Sequence, residues 1–188
     1  MLDRLGIGYS AESGPTPEED YFGYIIIPFK KRGQLQYFIG RDFTGNYLRY
    51  KNPPESLFGV GKRDILFNED ATELYRTNFV LEGWSDAVTI GKEAVATLGW
   101  SVSAIQKSKL LKSSAKRMVF VPDKGFMSQA VKLAMDFLDE KEVYVVDIEP
   151  YCEGEKKDVN GIGREVFTEA YAQTPRLTED MAMDILMK

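Results

Sequence analysis

Two short apolar runs in this sequence each lead into an acid. Phe79-Val80-Leu81 passes directly into Glu82 and Gly83, and Met118 to Val121 passes through Pro122 into Asp123. Such runs read as buried strands, and an open parallel sheet binds its ligands outside the carboxyl ends of its strands. Two carboxylates placed at two such ends converge on one crevice. A lone buried carboxylate is costly, and a shared cation resolves the cost. The alternative is that each acid only caps the helix after it, where the helix dipole favours a carboxylate by about 0.3–1 kcal/mol. The residue pattern by itself leaves both readings open.

Composition narrows the chemistry. The 188 residues include no histidine and one cysteine, Cys152. A zinc site of nitrogen and sulfur ligands cannot be assembled from that set, nor can a Ser-His-Asp triad or a Cys-His pair. Carboxylates, lysines, arginines and hydroxyls remain, and the cation that suits them is oxygen-ligated magnesium or manganese. The apolar fraction of 44% and charged fraction of 28% are ordinary for a globular chain. One cysteine excludes an internal disulfide and fits a reducing compartment. No apolar run approaches the roughly 20 residues that span a bilayer, and the start, MLDRLGIGYS, does not read as a secretion signal. The expected location is the cytoplasm, away from membranes.

The net charge of −5 is unevenly spread. Between Lys30 and Arg63 there are eight bases (Lys30, Lys31, Arg32, Arg41, Arg49, Lys51, Lys62, Arg63) against two acids, Asp42 and Glu55. Lys107 to Arg117 holds five bases and no acid, whereas Asp136 to the end carries fourteen acids against six bases. Such asymmetry predicts one side that faces a polyanion.

The elements that would position these residues follow from patterning. The opening to about Asp20 is rich in Gly, Ser, Pro and Glu and reads as a poorly packed entry. Tyr21 to Phe29 and Gln34 to Ile39 read as strands around a Lys31-Arg32-Gly33 turn. Pro28 is expected at an edge or a bulge, and a short strand is expected over Tyr47 to Tyr50. Beyond Asn78 the pattern alternates: strand at 79–81, helix at 85–94, strand at 95–98, helix at 103–112 capped by Ser101 or Ser103, strand at 118–121, helix at 128–140 and strand at 143–148. Strands alternating with helices imply a parallel sheet covered on both faces. A final helix starts at Thr178, and its apolar face (Met181, Ile185, Leu186) is expected to dock or to meet a partner. The fold class is α/β: a parallel sheet of about four strands flanked by helices, preceded by a small basic β-rich lobe. The expected division is a basic lobe at 1–76, the α/β domain at 77–172 and a tail helix at 173–188.

The ordered motifs resemble the catalytic core of bacterial and phage DNA primases. Val80-Leu81-Glu82-Gly83-Trp84-Ser85-Asp86 is similar to the first motif of the TOPRIM domain. Val121-Pro122-Asp123-Lys124-Gly125 sits where primases have an aspartate-x-aspartate pair, and Lys157-Asp158-Val159-Asn160 resembles a later acidic motif. Upstream, Ile25 to Phe29, Phe38 to Arg41, Arg49 to Pro53, Glu55 to Phe58 with Gly61-Lys62, and Gly6 to Ser10 resemble primase-specific segments in the family's order. The resemblance implies metal-dependent joining of ribonucleotides on a single-stranded DNA template. Carried over by position, Glu82 is the central acid, Asp86 supports it, and Asp123 and Asp158 complete the metal-site acids. Arg41, Arg49 and Lys62 are expected on nucleotide or template phosphates, Lys51 is expected to bind nucleotide or template with them, and Tyr50 and Asn52 are expected near a base.

Two positions depart from the family pattern. Gly125 stands in place of the second aspartate, and Asn160 in place of the last acid. Fewer carboxylates weaken the second cation, because charge count tunes hard-metal affinity. The 188 residues contain neither a cysteine-rich zinc module nor a phosphate-binding P-loop. The resemblance implies that these are supplied by another polypeptide or removed by truncation, so a replicative helicase, a separate zinc-binding module or both are expected partners, beside the template and the ribonucleoside triphosphates. Two other readings use the same residues: a TOPRIM nuclease, and a degenerate subunit that binds nucleic acid without catalysis. A topoisomerase would need a further gate domain with a nucleophilic tyrosine.

Overall fold

Residues 5–45, 48–155 and 157–188 are described in a computed structural model, and their strands fall into two sheets of opposite kind. The first is antiparallel, in the order β1 (Gly8–Tyr9), β2 (Tyr24–Lys31), β3 (Gln34–Asp42), β4 (Tyr50–Lys51). The turn between β2 and β3 is the expected one. Lys31 pairs with Gln34, and the two residues between them, Arg32 and Gly33, have φ of 50° and 80°. Positive φ at both central positions matches the strands' right-handed twist. Both strands run further than their apolar cores, ending at Lys31 and Asp42, because ladder pairing continues past the last apolar residue.

Pro28 pairs with Phe38, while β1 reaches only Ile25 and Ile26, so at Pro28 the strand is an edge on one side. The irregularity in the ladder falls just after it, between Phe29 and Lys30. Of the short strand expected from Tyr47, Tyr50 and Lys51 form β4, whereas Tyr47 itself lies outside the described residues.

The second sheet is parallel, in the order β6 (Ala94–Ala96), β5 (Thr77–Leu81), β7 (Arg117–Val121), β8 (Glu142–Val145). Met118 to Val121 are fully buried, as expected for a strand covered on both faces. Short helices α1 (Glu55–Phe58) and α2 (Ala71–Leu74) precede this sheet, and α3 (Trp84–Ile90), α4 (Ala104–Leu111) and α5 (Met127–Met135) connect its strands. Helix α3 is shorter than expected, because Gly91 closes it at φ 124° and Ala94 joins β6. Ser103, not Ser101, caps α4. Its Oγ accepts from Gln106 N–H, Gln106 Oε1 accepts from Ser103 N–H, and both distances are 3.0 Å.

Two helices have no counterpart in the pattern reading, α6 (Val159–Ile162) and α7 (Arg164–Gln173). The tail helix α8 (Glu179–Leu186) is capped by Thr178 as expected. Leu177 N–H donates to the Val143 carbonyl at 2.7 Å, and Ala182 is buried, so α8 docks against β8 and α5.

One apolar cluster joins the two sheets. Ile27, Phe29, Tyr37 and Ile39 pack with Phe67, Leu81, Ala96, Val119 and Val121, and Phe67 bridges to Ala96 backbone to backbone. Each fully buried large side chain there contributes about 1.5–3 kcal/mol. Both lobes therefore share one core. No described helix is long and apolar enough to cross a membrane.

Candidate active site

Glu82 and Asp123 leave adjacent strands at the same end. Leu81 pairs with Val121, so Glu82 begins one residue beyond that pair and Asp123 two. From β5 the chain crosses to β6 on one side, and from β7 it crosses to β8 on the other. The two acids thus stand at the point where strand order reverses, where a crevice opens in sheets of this kind. Leu98 N–H donates to the Glu82 carbonyl at 2.9 Å and fixes that backbone.

Asp86 lies in the first turn of α3 and is 3% exposed, with Oδ1 accepting from Asn160 N–H at 2.8 Å. Gly83 makes room for it, since a Cβ on that residue would lie 2.3 Å from Asp86 Oδ2. Asp158 caps α6, accepting from Gly161 N–H at 2.6 Å. Lys124 N–H donates to the Lys157 carbonyl at 2.8 Å, which ties the turn after Asp123 to the segment that carries Asp158.

These four acids line one cleft of about 540 Å³, and Arg41, Arg49 and Tyr50 line it too. The electrostatics record the crowding. Burial pushes the Asp123 carboxyl up to about 8, and the charges of Asp86, Glu82 and Asp158 push the same way. Burial pushes Asp86 up to about 6; the Asn160 N–H opposes it, while the Asp158 and Glu82 charges add to it. Burial also raises Glu82. No ion pair among the described residues includes any of the four.

The basic wall comes from the antiparallel sheet. Arg41 and Tyr50 are ladder partners and are hydrogen-bonded through the Tyr50 hydroxyl, and the Arg41 and Arg49 guanidinium carbons lie 5.1 and 5.8 Å from the Tyr50 ring centre. Beside the cleft is a smaller pocket of about 170 Å³, lined by Tyr50, Asn52, Lys62, Glu82, Trp84 and Leu98 among others. Tyr50, Glu82, Gly83 and Trp84 are common to both cavities.

Of the residues singled out in the sequence, Glu82, Asp86, Asp123, Asp158, Arg41, Arg49 and Tyr50 meet in the larger cleft. Asn52 and Lys62 line the smaller one. Lys51 lines neither. Its Nζ donates to the carbonyls of Pro17 and Asp20 at 2.6 and 2.7 Å and sits 4.8 Å from the Tyr21 ring centre, so it anchors the entry segment.

Two further residues shape the site without having been given a role from the sequence. Trp84 has a buried indole N–H with no partner among the described residues and lines both cavities. Asn160 holds Asp86 through its backbone, and its side-chain oxygen accepts from Thr89 Oγ1 at 3.1 Å.

Gly125 has a conformational reason to differ from an acid. Phe126 N–H donates to the Asp123 carbonyl at 3.0 Å, closing a turn in which Gly125 has φ 85°. That left-handed backbone favours glycine.

The donor set fits a hard divalent cation by type: carboxylate oxygens, crowded and without an ion-pair partner among the described residues. It does not form a finished cage. Among the described residues no three His, Cys, Asp or Glu side chains converge closely enough to hold a metal. Charges repel over distances longer than a ligand bond, so four acids can perturb one another without surrounding one point. The site offers one or two carboxylates to a cation, and magnesium is commonly held by that number together with substrate phosphates.

An antiparallel basic lobe sharing its core with a TOPRIM-type parallel sheet defines the class of fold. The chain is similar to the E. coli primase catalytic core, with a TM-score of 0.72 and 20% identity over 99% of this chain and 72% of that one. It is also similar to a DnaG catalytic core, with a TM-score of 0.68 and 19% identity over 93% and 68% of the two chains. The fold is thus that of a primase catalytic core, and the α/β class and four-stranded parallel sheet expected from the sequence are borne out. No protein-family model matches the sequence, and comparison with curated proteins finds no match.

Proposed function

We propose that this chain is a primase core that joins ribonucleotides on a single-stranded DNA template, with residues 1–76 as a basic template-facing lobe and 77–172 as the acidic catalytic domain. The observation that carries this reading is the cleft in which Glu82, Asp86, Asp123 and Asp158 face Arg41 and Arg49. Acids alone repel a polyphosphate and bases alone do not organise a cation, so a cleft with one wall of each suits a metal-bound nucleotide.

In the reaction the terminal hydroxyl oxygen of the primer bonds to the α-phosphorus of the incoming triphosphate, its proton passes to solvent, and the bond from the α-phosphorus to the α–β bridging oxygen breaks as pyrophosphate leaves. Magnesium or manganese, when bound, would neutralise the triphosphate and stabilise the departing charge. Glu82 and Asp123 are the acids that would hold it, with Asp158 at the rim. Asp86 orients the start of α3, because its carboxylate is engaged by the Asn160 N–H. Arg41 and Arg49 bind phosphates along the cleft, and Tyr50, braced by both, offers a ring to a base. Asn52 and Lys62 hold the nucleotide in the adjoining pocket. A replicative helicase and a separate zinc-binding module complete the proposed assembly.

The test is incorporation of labelled ribonucleotides on single-stranded DNA with magnesium or manganese, with Glu82→Gln as control. Metal-dependent short RNA that vanishes in the control supports the proposal. Cleaved DNA would favour the nuclease reading. A second reading rests on Gly125 and Asn160, which stand where acids were expected: a subunit that binds nucleic acid without catalysis. Template binding unchanged by Glu82→Gln, with no product when a helicase is supplied, would favour it.

A further inference from the structure

The turn that carries Lys62 is held by a buried amide from the other half of the molecule. Gln106 lies in the first turn of α4 and is 1% exposed. Its Oε1 accepts from Ser103 N–H at 3.0 Å. Its Nε2 faces three carbonyl oxygens: Thr97 at 2.8 Å, Ile65 at 2.9 Å and Lys62 at 3.3 Å. Carbonyls at one end and an N–H at the other permit a single orientation of the amide. Ser103 adds a second tie, its hydroxyl donating to the Arg63 carbonyl. The turn also closes on itself, Gly61 N–H donating to Asp64 Oδ2 at 2.8 Å and Asp64 N–H to the Gly61 carbonyl at 2.9 Å.

The same node reaches Glu82. Thr97 N–H donates to the Leu81 carbonyl at 3.0 Å, and Leu98 N–H to the Glu82 carbonyl at 2.9 Å. A continuous path therefore runs from the backbone of Glu82, through residues 97 and 98, to Gln106 and on to the Lys62 turn. Lys62, Glu82 and Leu98 all line the 170 Å³ pocket. Lys62 is exposed and makes no ion pair among the described residues, and an ammonium on a four-carbon stem is placed only as well as its backbone is.

We propose that Gln106 is a positioning residue that sets Lys62 against Glu82 across this pocket, and thereby sets the affinity for the phosphates of a nucleoside triphosphate. The inference rests on the reading of Lys62 as a nucleotide contact. A buried amide here is a choice with a function. An apolar side chain would pack the space, but only the amide joins a carbonyl 9 residues away to one 41 residues away. Functional groups need such a supporting shell to be held in place.

The experiment is titration of the full chain with ATP and manganese, followed by calorimetry, for wild type, Lys62→Ala, Gln106→Met and the double variant. Thermal unfolding defines a temperature at which each is folded. Ser103→Ala, which removes the tie to Arg63 and the cap on Gln106 N–H but keeps the Gln106 side-chain amide, replaces Gln106→Met should the latter not fold. The expected result is about ten-fold weaker ATP binding for Lys62→Ala and a similar loss for Gln106→Met. The double variant should then be no worse than the weaker single variant, because both act through one ammonium. A loss of stability alone would not produce that non-additivity. If Lys62→Ala weakens binding while folded Gln106→Met or Ser103→Ala binds as wild type, or if the effects add, the positioning role is overturned. If Lys62→Ala binds ATP as wild type does, or wild type binds none, the nucleotide reading of Lys62 falls first and takes this inference with it.

Discussion

Glu69 and the acids of the cleft are drawn away from water in opposite ways. Glu69, with its side chain 6% exposed, lies between two ammoniums, Lys31 Nζ at 2.5 Å and Lys109 Nζ at 2.6 Å. Lys31 comes from β2 and Lys109 from α4, so this acid stitches the antiparallel sheet to the parallel half. The four acids of the cleft have burial and one another, but no ion-pair partner among the described residues. A buried acid with its counter-charge in place is architecture. A group of buried and half-buried acids without one is, on the proposed function, where a cation would be held.

The sharpest way to break this contrast is to neutralise one acid of each kind. Glu82→Gln should lower nucleotide incorporation by about 10³-fold or more, roughly 4 kcal/mol of transition-state stabilisation, and leave the unfolding midpoint unchanged or higher. Glu69→Gln should do the reverse. It leaves two ammoniums facing a neutral amide and should destabilise the fold by about 2 kcal/mol in denaturant titration. That is below the 3–5 kcal/mol of a fully buried pair, because the two lysine side chains are 39% and 28% exposed. A Glu69 variant that stays as stable as wild type but loses activity would reverse the assignment.

pH sharpens the comparison further. The folded Asp123 carboxyl is held near 8 against an ordinary value of 3.8, so the folded state binds its proton more tightly than the unfolded state does. In metal-free protein its cost to stability is absent below about pH 4, grows as pH rises, and is complete above about pH 8. Asp123→Asn should therefore stabilise metal-free protein at pH 8.5 by about 1–2 kcal/mol, allowing for partial solvent screening, and should give no gain at pH 4. Melting curves at the two pH values check this, and saturating manganese should erase the difference. The smallest expected effect is that of Gly125→Asp. Its left-handed backbone should cost about 1 kcal/mol, nothing lies within 4 Å of the added Cβ, and the extra carboxylate should tighten manganese binding several-fold.

Much of the fold was legible because its signals are local. Apolar runs of strand length, the Arg32-Gly33 turn, a serine cap narrowed to Ser101 or Ser103 and the cap at Thr178 each involve residues within a few positions of one another. What was not legible depended on distance. Helices α6 and α7 escaped because the segment from Asp158 to Gln173 carries only a sparse apolar stripe, Val159, Ile162, Phe167 and Ala170, which is buried by contact with the parallel sheet. Lys51 read like its basic neighbours, yet it bonds to carbonyls 31 and 34 residues away. Asp86 meets its partner Asn160 across 74 residues.

The sequence alone determined the chemistry available here: no histidine and a single cysteine, hence oxygen ligands for any cation the site would take, with acids at the ends of two apolar strands and bases gathered upstream. Only the tertiary structure decided which charges are satisfied and which are not. A residue's type states the charge it can carry. Whether that charge is cancelled depends on what a distant segment brings within about 4 Å, and so Glu69 closes the core while Glu82, Asp86, Asp123 and Asp158 share a cleft without an ion-pair partner among the described residues.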